Sequence, residues 1–255
     1  MSNSKPRVAL FHTCLMDLYR PSVGFAAVRL LEQAGCQVEV PANQTCCGQP
    51  AFNSGATALA RELAQKLIEA FDDYDYVVGP SGSCVSLLKL HYPHLLEDDA
   101  AWHQRALDLA GRSHELLSFL DEVMNFRPAA RLPGIATYHD SCSGLRELGI
   151  KHQPRRLLAE VDELEQVEMD EAETCCGFGG TFCVKYPDIS ARMASQKVAN
   201  IHASGADIVL GGDLGCLLNI SGRLTRLGSP VRVFHTAEVL AGMTDGLAIS
   251  EGRSD

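Results

Sequence analysis

Strand-like and helix-like runs alternate twice over along these 255 residues, which predicts an α/β fold of two tandem, pseudo-symmetric halves with mainly parallel sheets. The cysteines support the same division. Cys14, Cys46, Cys47 and Cys84 have counterparts in Cys142, Cys175, Cys176 and Cys216, displaced by 128, 129, 129 and 132 residues. Each half carries a Cys-Cys-Gly triplet in matching frame, Cys46-Cys47-Gly48 and Cys175-Cys176-Gly177. Such a coincidence marks an internal duplication.

The elements follow in order. Residues 7–13 form a β-rich run ending before Cys14. Residues 21–34 carry apolar side chains at helical spacing, with Pro21 as start signal and Gly35 as stop signal. Residues 36–40 are a short strand leading into the loop 41–48. A helix over 57–71, a strand over 74–79, the turn Ser81-Gly82-Ser83 and a helix opened by Cys84 complete the alternation. The second half repeats it. A strand at 135–138 leads to His139-Asp140-Ser141-Cys142, followed by a helix near 154–161 and a strand at 164–169. After the loop 174–180 come a long helix at 189–203, a strand at 207–210, and Cys216 opening another helix. Residues 231–234 and 236–241 close the half. His114-Glu115-Leu116-Leu117 echoes Ala237-Glu238-Val239-Leu240 weakly.

These elements describe two Rossmann-like halves, 1–126 and 134–245. A turn-rich linker at 127–133 separates them, and a polar tail at 246–255 is expected to be disordered. The surface is acidic, with 22 Lys+Arg against 32 Asp+Glu, which argues against nucleic acid as a partner. No run approaches the roughly 18 apolar residues of a membrane span, and the N-terminus shows no signal-peptide pattern. Ten cysteines in such a chain are expected in a reducing cytosol, reserved for metals or catalysis rather than disulfides.

Ligands of open α/β sheets bind at the carboxyl ends of the strands, and the repeated cysteines all follow predicted strands. Sulfurs distant in sequence are thereby gathered, four to a half. Four soft ligands point to zinc or an iron–sulfur cluster. Adjacent cysteines on an extended strand would face opposite ways, so each pair needs a turn, which the following glycine permits. Gly177-Phe178-Gly179-Gly180 leaves room for backbone to approach an inorganic core. No P-loop or dinucleotide fingerprint is present, which disfavours a nucleotide.

Cys36 is expected to be a buried small apolar residue and Cys183, without a counterpart, an ordinary neighbour of the site. His12 and His139 precede Cys14 and Cys142 closely. For both, a packed strand-end position is the expectation, with a hydrogen bond or ligation near a metal as the alternative. Asp213 is expected to cap the helix carrying Cys216. Arg20, Lys89 and Arg146 are expected on the solvated surface, with attraction of an anion as the alternative.

A cysteine, a Cys-Cys-Gly triplet some thirty residues on and a further cysteine downstream, all repeated, resemble the cysteine-rich CCG domain found in heterodisulfide reductase and in anaerobic glycerol-3-phosphate dehydrogenase. The stretches NQTCCGQPAFNSG, PSGSCVSLLK, ETCCGFGGTFCVKYPDIS and GCLLNISGRL resemble the lactate-utilisation protein A family more closely. The likeness runs from Val8 to about Gly242. It implies a cytoplasmic iron–sulfur electron-transfer subunit of an L-lactate oxidation complex, an oxidoreductase, associated with membranes only through partners. Those partners are a ferredoxin-like iron–sulfur subunit and a third, small subunit. It also implies that Cys14, Cys46, Cys47, Cys84, Cys142, Cys175, Cys176 and Cys216 are the cluster ligands. The fullest CCG motif ends in Cys-x-x-Cys, whereas this chain has Ser81 and Asp213 at the first of those positions. Four cysteines per half fit one or two [4Fe–4S] cubanes better than a cluster needing five. A zinc-binding interaction module and a metal-free thiol–disulfide exchanger are the alternatives. Zinc ligands more often come from tight C-x2-4-C knuckles, and no C-x-x-C offers an attacking thiol.

Overall fold

The structure is a computed structural model that describes residues 5–251. The chain divides into two compact units, Met1–Phe126 and Arg127–Asp255. In the first, β1 (Arg7–Leu10), β2 (Gln37–Glu39), β3 (Tyr76–Gly79) and β4 (Ser113–Glu115) form one sheet ordered β2-β1-β3-β4. In the second, β5 (Arg131–His139), β6 (Asp162–Gln166), β7 (Ile208–Gly211) and β8 (Arg232–His235) are ordered β6-β5-β7-β8. All pairings in both sheets are parallel, so the expected α/β fold of two like halves is the observed one.

This order has one topological switch. From the first strand the chain crosses to one side, then returns and continues on the other, leaving a crevice beyond the ends of the two central strands. The crevice lies at β1/β3 in the first unit and β5/β7 in the second. Helices cover the sheets because their apolar faces match. In Thr57–Ala70 the buried residues are Ala60, Ala64, Leu67, Ile68 and Ala70, a helical stripe. In Pro187–Ala203 the stripe is Ser190, Ala194, Lys197, Val198 and Ile201.

Strand register makes the two units comparable residue by residue. Leu10 pairs with Val78 and Tyr138 with Leu210. Phe11, whose N–H donates to Val78 O at 2.8 Å, therefore stands where His139 stands in the second unit. Gly79 pairs with Glu115 and Gly211 with His235. The sequence echo that aligned Glu115 with Glu238 is thus three residues out of register. Glu115 and His235 are the equivalent positions, and each caps the helix that follows, Leu116–Ser118 and Thr236–Leu240. Glu238 completes a capping box from inside its helix.

Other expectations are corrected. The first strand stops at Leu10 rather than residue 13, and a helix, Cys14–Tyr19, begins with the cysteine itself. Helix Ala100–Arg112 and strand β4 were not foreseen. Ser113-His114-Glu115 has no apolar alternation, and only pairing with Val77–Gly79 makes it a strand. Part of the expected linker 127–133 belongs to β5, which starts at Arg131. Gly134, with φ +141°, absorbs a register shift there. Strand β6 ends at Gln166, short of the expected 169, and Met169 instead buries itself in the core. In the tail, Ala248 is buried and Ile249 donates its N–H to Val233 O at 2.8 Å; residues 252–255 lie outside the described residues.

One buried ion pair anchors the segment leading to Cys142. The Arg155 guanidinium donates to both carboxylate oxygens of Asp140, at 2.9 Å each, and lies 5.2 Å from the Tyr138 ring centroid. Asp140 is fully enclosed, whereas the Arg131–Glu163 pair is exposed on both sides. Removing one partner of a buried pair leaves an uncompensated charge. Arg155→Ala should therefore lower unfolding free energy by about 3–5 kcal/mol in a denaturant titration, and Arg131→Ala by no more than about 1 kcal/mol.

Candidate metal centres

Each crevice gathers its four cysteines from three loops. Cys14 follows β1 and opens helix Cys14–Tyr19, Cys46 and Cys47 lie between β2 and helix Gln49–Asn53, and Cys84 follows β3 in helix Gly82–Ser86. The sulfurs meet in series. Cys14 Sγ lies 3.7 Å from Cys46 Sγ, Cys47 Sγ lies 3.6 Å from Cys84 Sγ, and the neighbours Cys46 and Cys47 are hydrogen-bonded through sulfur. The second unit repeats the series as Cys142, Cys175, Cys176 and Cys216, each sulfur hydrogen-bonded to the next. All ten cysteines are free thiols.

The local backbone explains how adjacent cysteines turn to one site. Gly48 and Gly177 follow the pairs in the left-handed region, with φ +84° and +87°. In the second unit the reversed backbone donates to sulfur: Gly177 N–H to Cys175 Sγ and Phe178 N–H to Cys176 Sγ, both at 3.4 Å. A side chain from the opposite wall fixes the second cysteine of each pair. Tyr92 Oη donates to Cys47 O at 2.6 Å, and Asn219 Nδ2 donates to Cys176 O at 2.9 Å. Neither residue was singled out from the sequence: Tyr92 opens a short helix, and Asn219 sits inside the stretch GCLLNISGRL without a signal of its own. Lys197 was missed as well. Its ammonium, buried in the apolar stripe of its helix, donates to Glu171 O and Ala172 O and holds the chain entering the Cys175-Cys176 loop. A lone charge at a stripe position was its only signal.

Each centre has an inner and an outer side. Cys47, Cys84, Cys176 and Cys216 belong to the hydrophobic cores, the first two with Phe11 and Leu67, the last two with Ile201 and Leu217. Cys14, Cys46, Cys142 and Cys175 are half-buried. Sulfurs this close cannot all ionise without a cation. In the first unit hydrogen bonds from Cys14 and Cys47 hold Cys46 down at about 2. Its neighbours move the other way, Cys14 and Cys47 both being pushed up by their bonds to Cys46, with burial adding to each. In the second unit Cys142 is pushed up by its bond to Cys175 and by burial. Cys176 is raised although its bond with Cys175 acts against this, because its bond to Cys216 and burial prevail. Cys216 is raised too: the bond to Cys176 opposes it, but burial and the Asp213 charge win. A soft cation placed among the sulfurs relieves this penalty and displaces the protons. The donor set therefore fits a thiophilic metal or cluster.

Ser81 and Asp213, at the position of the motif's missing fifth cysteine, are helix N-caps. Ser81 Oγ accepts from Cys84 N–H at 3.4 Å and Asp213 Oδ1 from Gly215 N–H at 3.2 Å. Cys36 is buried apart from these sulfur series, and burial alone raises it to about 11. Cys183 donates to Gly180 O at 3.4 Å. His12 donates its backbone N–H to Gln44 Oε1 at 3.1 Å, and the residue lines a cavity of about 240 Å³ with Met16, Phe25 and Val28. Lys89 is not a solvated surface residue. It donates to Ala110 O and Ser113 O, neutralising the carbonyl end of helix Ala100–Arg112. Arg146 is exposed and Arg20 half-buried. His139 ends β5 fully buried, within 4.8 Å, atom to atom, of the Cys176 and Cys216 sulfurs. Burial, then the Lys197 charge, pushes its pKa down to about 3.

Two like units, each closing a four-cysteine crevice at its switch point, define a duplicated cysteine-rich protein. The family model described as CCG, cysteine-rich domain, matches residues 8–89 and 136–221, one copy per unit. The chain is 51% identical over 235 residues to a protein of Geobacillus kaustophilus named lactate utilization protein A, covering 92% of this chain and 98% of that one. It is 49% identical to the protein of the same name from an Exiguobacterium species and 47% identical to that of Macrococcus caseolyticus, covering 92% and 94% of this chain and 97% and 98% of theirs. The chain belongs to the lactate utilization protein A family. A hypothetical protein of Helicobacter pylori shares the fold, with a TM-score of 0.65 at 12% identity, covering 96% of this chain and half of its own length.

A methyl group at Gly177 would stand 2.8 Å from Ser190 O and 3.0 Å from Met193 Cβ, besides needing positive φ. Gly149 also has positive φ, +69°, but open space around it. Gly177→Ala should cost about 1–3 kcal/mol in stability and lower the metal content of the purified protein. Gly149→Ala should leave the metal content unchanged, as measured by plasma emission.

Proposed function

We propose that each unit holds a [4Fe–4S] cluster, on Cys14, Cys46, Cys47 and Cys84 in the first and on Cys142, Cys175, Cys176 and Cys216 in the second. The protein then serves as the electron-transfer subunit of a multi-component L-lactate oxidation system. The observation that carries the reading is the convergence, twice, of four thiols from three loops at a sheet switch point. Its family and the names of its relatives supply the lactate context. An iron–sulfur cluster accepts and releases electrons singly. The chain contributes the thiolates, the backbone donors of the Gly177-Phe178 turn and an apolar wall that keeps water from the inner sulfurs. The reading places the protein in the cytoplasm, with a ferredoxin-like iron–sulfur subunit and a small third subunit as partners. Among the described residues no helix is long and apolar enough to cross a membrane.

Zinc is the second reading, and one observation favours it. Sulfur separations of 3.6 and 3.7 Å resemble the edge, about 3.8 Å, of a tetrahedron with Zn–S near 2.3 Å. A thiol bonded to a neighbouring sulfur takes the same separation, and ligands spread over three loops are unlike a zinc knuckle.

Anaerobic purification followed by iron, sulfide and zinc analysis decides between them. About four iron and four sulfide per site, with a brown colour bleached by dithionite, is the expected result; a colourless protein with stoichiometric zinc would overturn it. Cys47→Ser and Cys175→Ser should each lose bound iron and growth on L-lactate, whereas Cys36→Ser should keep both.

A further inference from the structure

We propose that His139 donates a hydrogen bond to the inner sulfurs of the second centre, Cys176 and Cys216, and thereby holds that centre's reduction potential above the value its four thiolates alone would set. The inference rests on the cluster reading above and adds an asymmetry between two otherwise parallel sites.

The starting observation is an unpartnered polar group in the core. Among the described residues neither ring nitrogen of His139 has a hydrogen-bond partner, although the side chain is wholly buried. Burying an imidazole without a partner costs about 1–3 kcal/mol. That cost is not imposed by the fold. The equivalent residue of the first unit is Phe11, equally buried and packed edge-on against Phe71. The same strand end thus accepts an apolar ring, and the second unit carries an imidazole there instead.

Two charged residues beside His139 are already engaged. Its carboxylate neighbour in sequence, Asp140, is engaged by Arg155 through both oxygens. Lys197, whose charge acts on the ring, is committed to two backbone carbonyls. The sulfurs of Cys176 and Cys216 lie within 4.8 Å of the ring's ligand nitrogen. As thiols these are weak acceptors. As thiolates they are strong ones, and binding of a thiophilic centre is what ionises them. The imidazole N–H then gains its partner.

The four cysteines of the second unit match those of the first one for one, and the first has a phenyl ring where the second has this imidazole. His139 therefore stands beside a complete set of four cysteines and is not one of its members. An N–H pointed at ligand sulfur withdraws negative charge from it and favours the reduced, more negative centre. Asp213, which caps the helix carrying Cys216, acts in the opposite direction. His139 is thus a positioning residue whose effect is read on the potential.

The test is an EPR-monitored redox titration of the iron-loaded full chain, with iron counted in every sample. His139→Phe copies the first unit and is compatible with the same strand end. It should lower one reduction potential, leave the other in place and retain wild-type iron. His139→Gln, which restores an N–H donor, should recover part of the shift. Iron-loaded variants whose potentials all match wild type would overturn the inference while leaving the cluster reading intact. Loss of one centre's iron in both variants would overturn it too, making His139 a ligand. A wild-type chain that carries zinc and no iron would overturn the cluster reading and this assignment together.

Discussion

Charge cannot accumulate freely in an apolar crevice, and that constraint governs the rest of this molecule. Four sulfurs per unit lie close enough to bond to one another, two of them inside the hydrophobic core. In the first unit the hydrogen bonds among the sulfurs favour the anion at Cys46 and disfavour it at Cys14 and Cys47, where burial adds to the effect. The remaining sulfur valence is released only against a cation. The glycine turns, the carbonyl clamps from Tyr92 and Asn219 and the N-caps at Ser81 and Asp213 hold the loops in that convergent arrangement. Helix packing then supplies the rigidity that short loops lack.

The duplication is close in backbone and looser in chemistry. Sheet order, register and the sulfur series agree between units, yet the supports around them differ. A tyrosine hydroxyl in one is an amide in the other; a serine cap is an aspartate. Leu67 in the pattern Ala64-x-x-Leu67-Ile68 has its counterpart at Lys197 in Ala194-x-x-Lys197-Val198, and Phe11 has His139. The second centre is therefore surrounded by more polar groups than the first. On the proposed function, equal cysteine sets in unequal surroundings would give unequal electron affinities.

The sequence made the central features legible because they are repeated or strongly patterned. The cysteine register exposed the duplication, and β3 and β7 announced themselves as Tyr76-Val77-Val78 and Ile208-Val209-Leu210. Elements that depend on neighbours stayed hidden or were misplaced. Strand β4 has three residues and no apolar alternation, so only its partner defines it. Strand β6 was expected at 164–169 but lies at Asp162–Gln166, because its polar edge Asp-Glu-Leu-Glu-Gln takes its bounds from pairing with β5. Helix Cys14–Tyr19 was masked by the apolar run before it. The site showed the same division: the converging cysteines could be read off, whereas Tyr92, Asn219 and Lys197 acquire meaning only from what they touch.

The gradient of burial across each sulfur series gives the site a wet door and a dry back wall. Cys14 with Cys46, and Cys142 with Cys175, stand at the door; their partners are sealed in by aliphatic side chains. Peroxide and oxygen meet the half-exposed thiols first, so oxidative injury begins there and reaches the interior last. A thiophilic ion would face the same geography and enter past the half-exposed thiols before reaching the sealed ones.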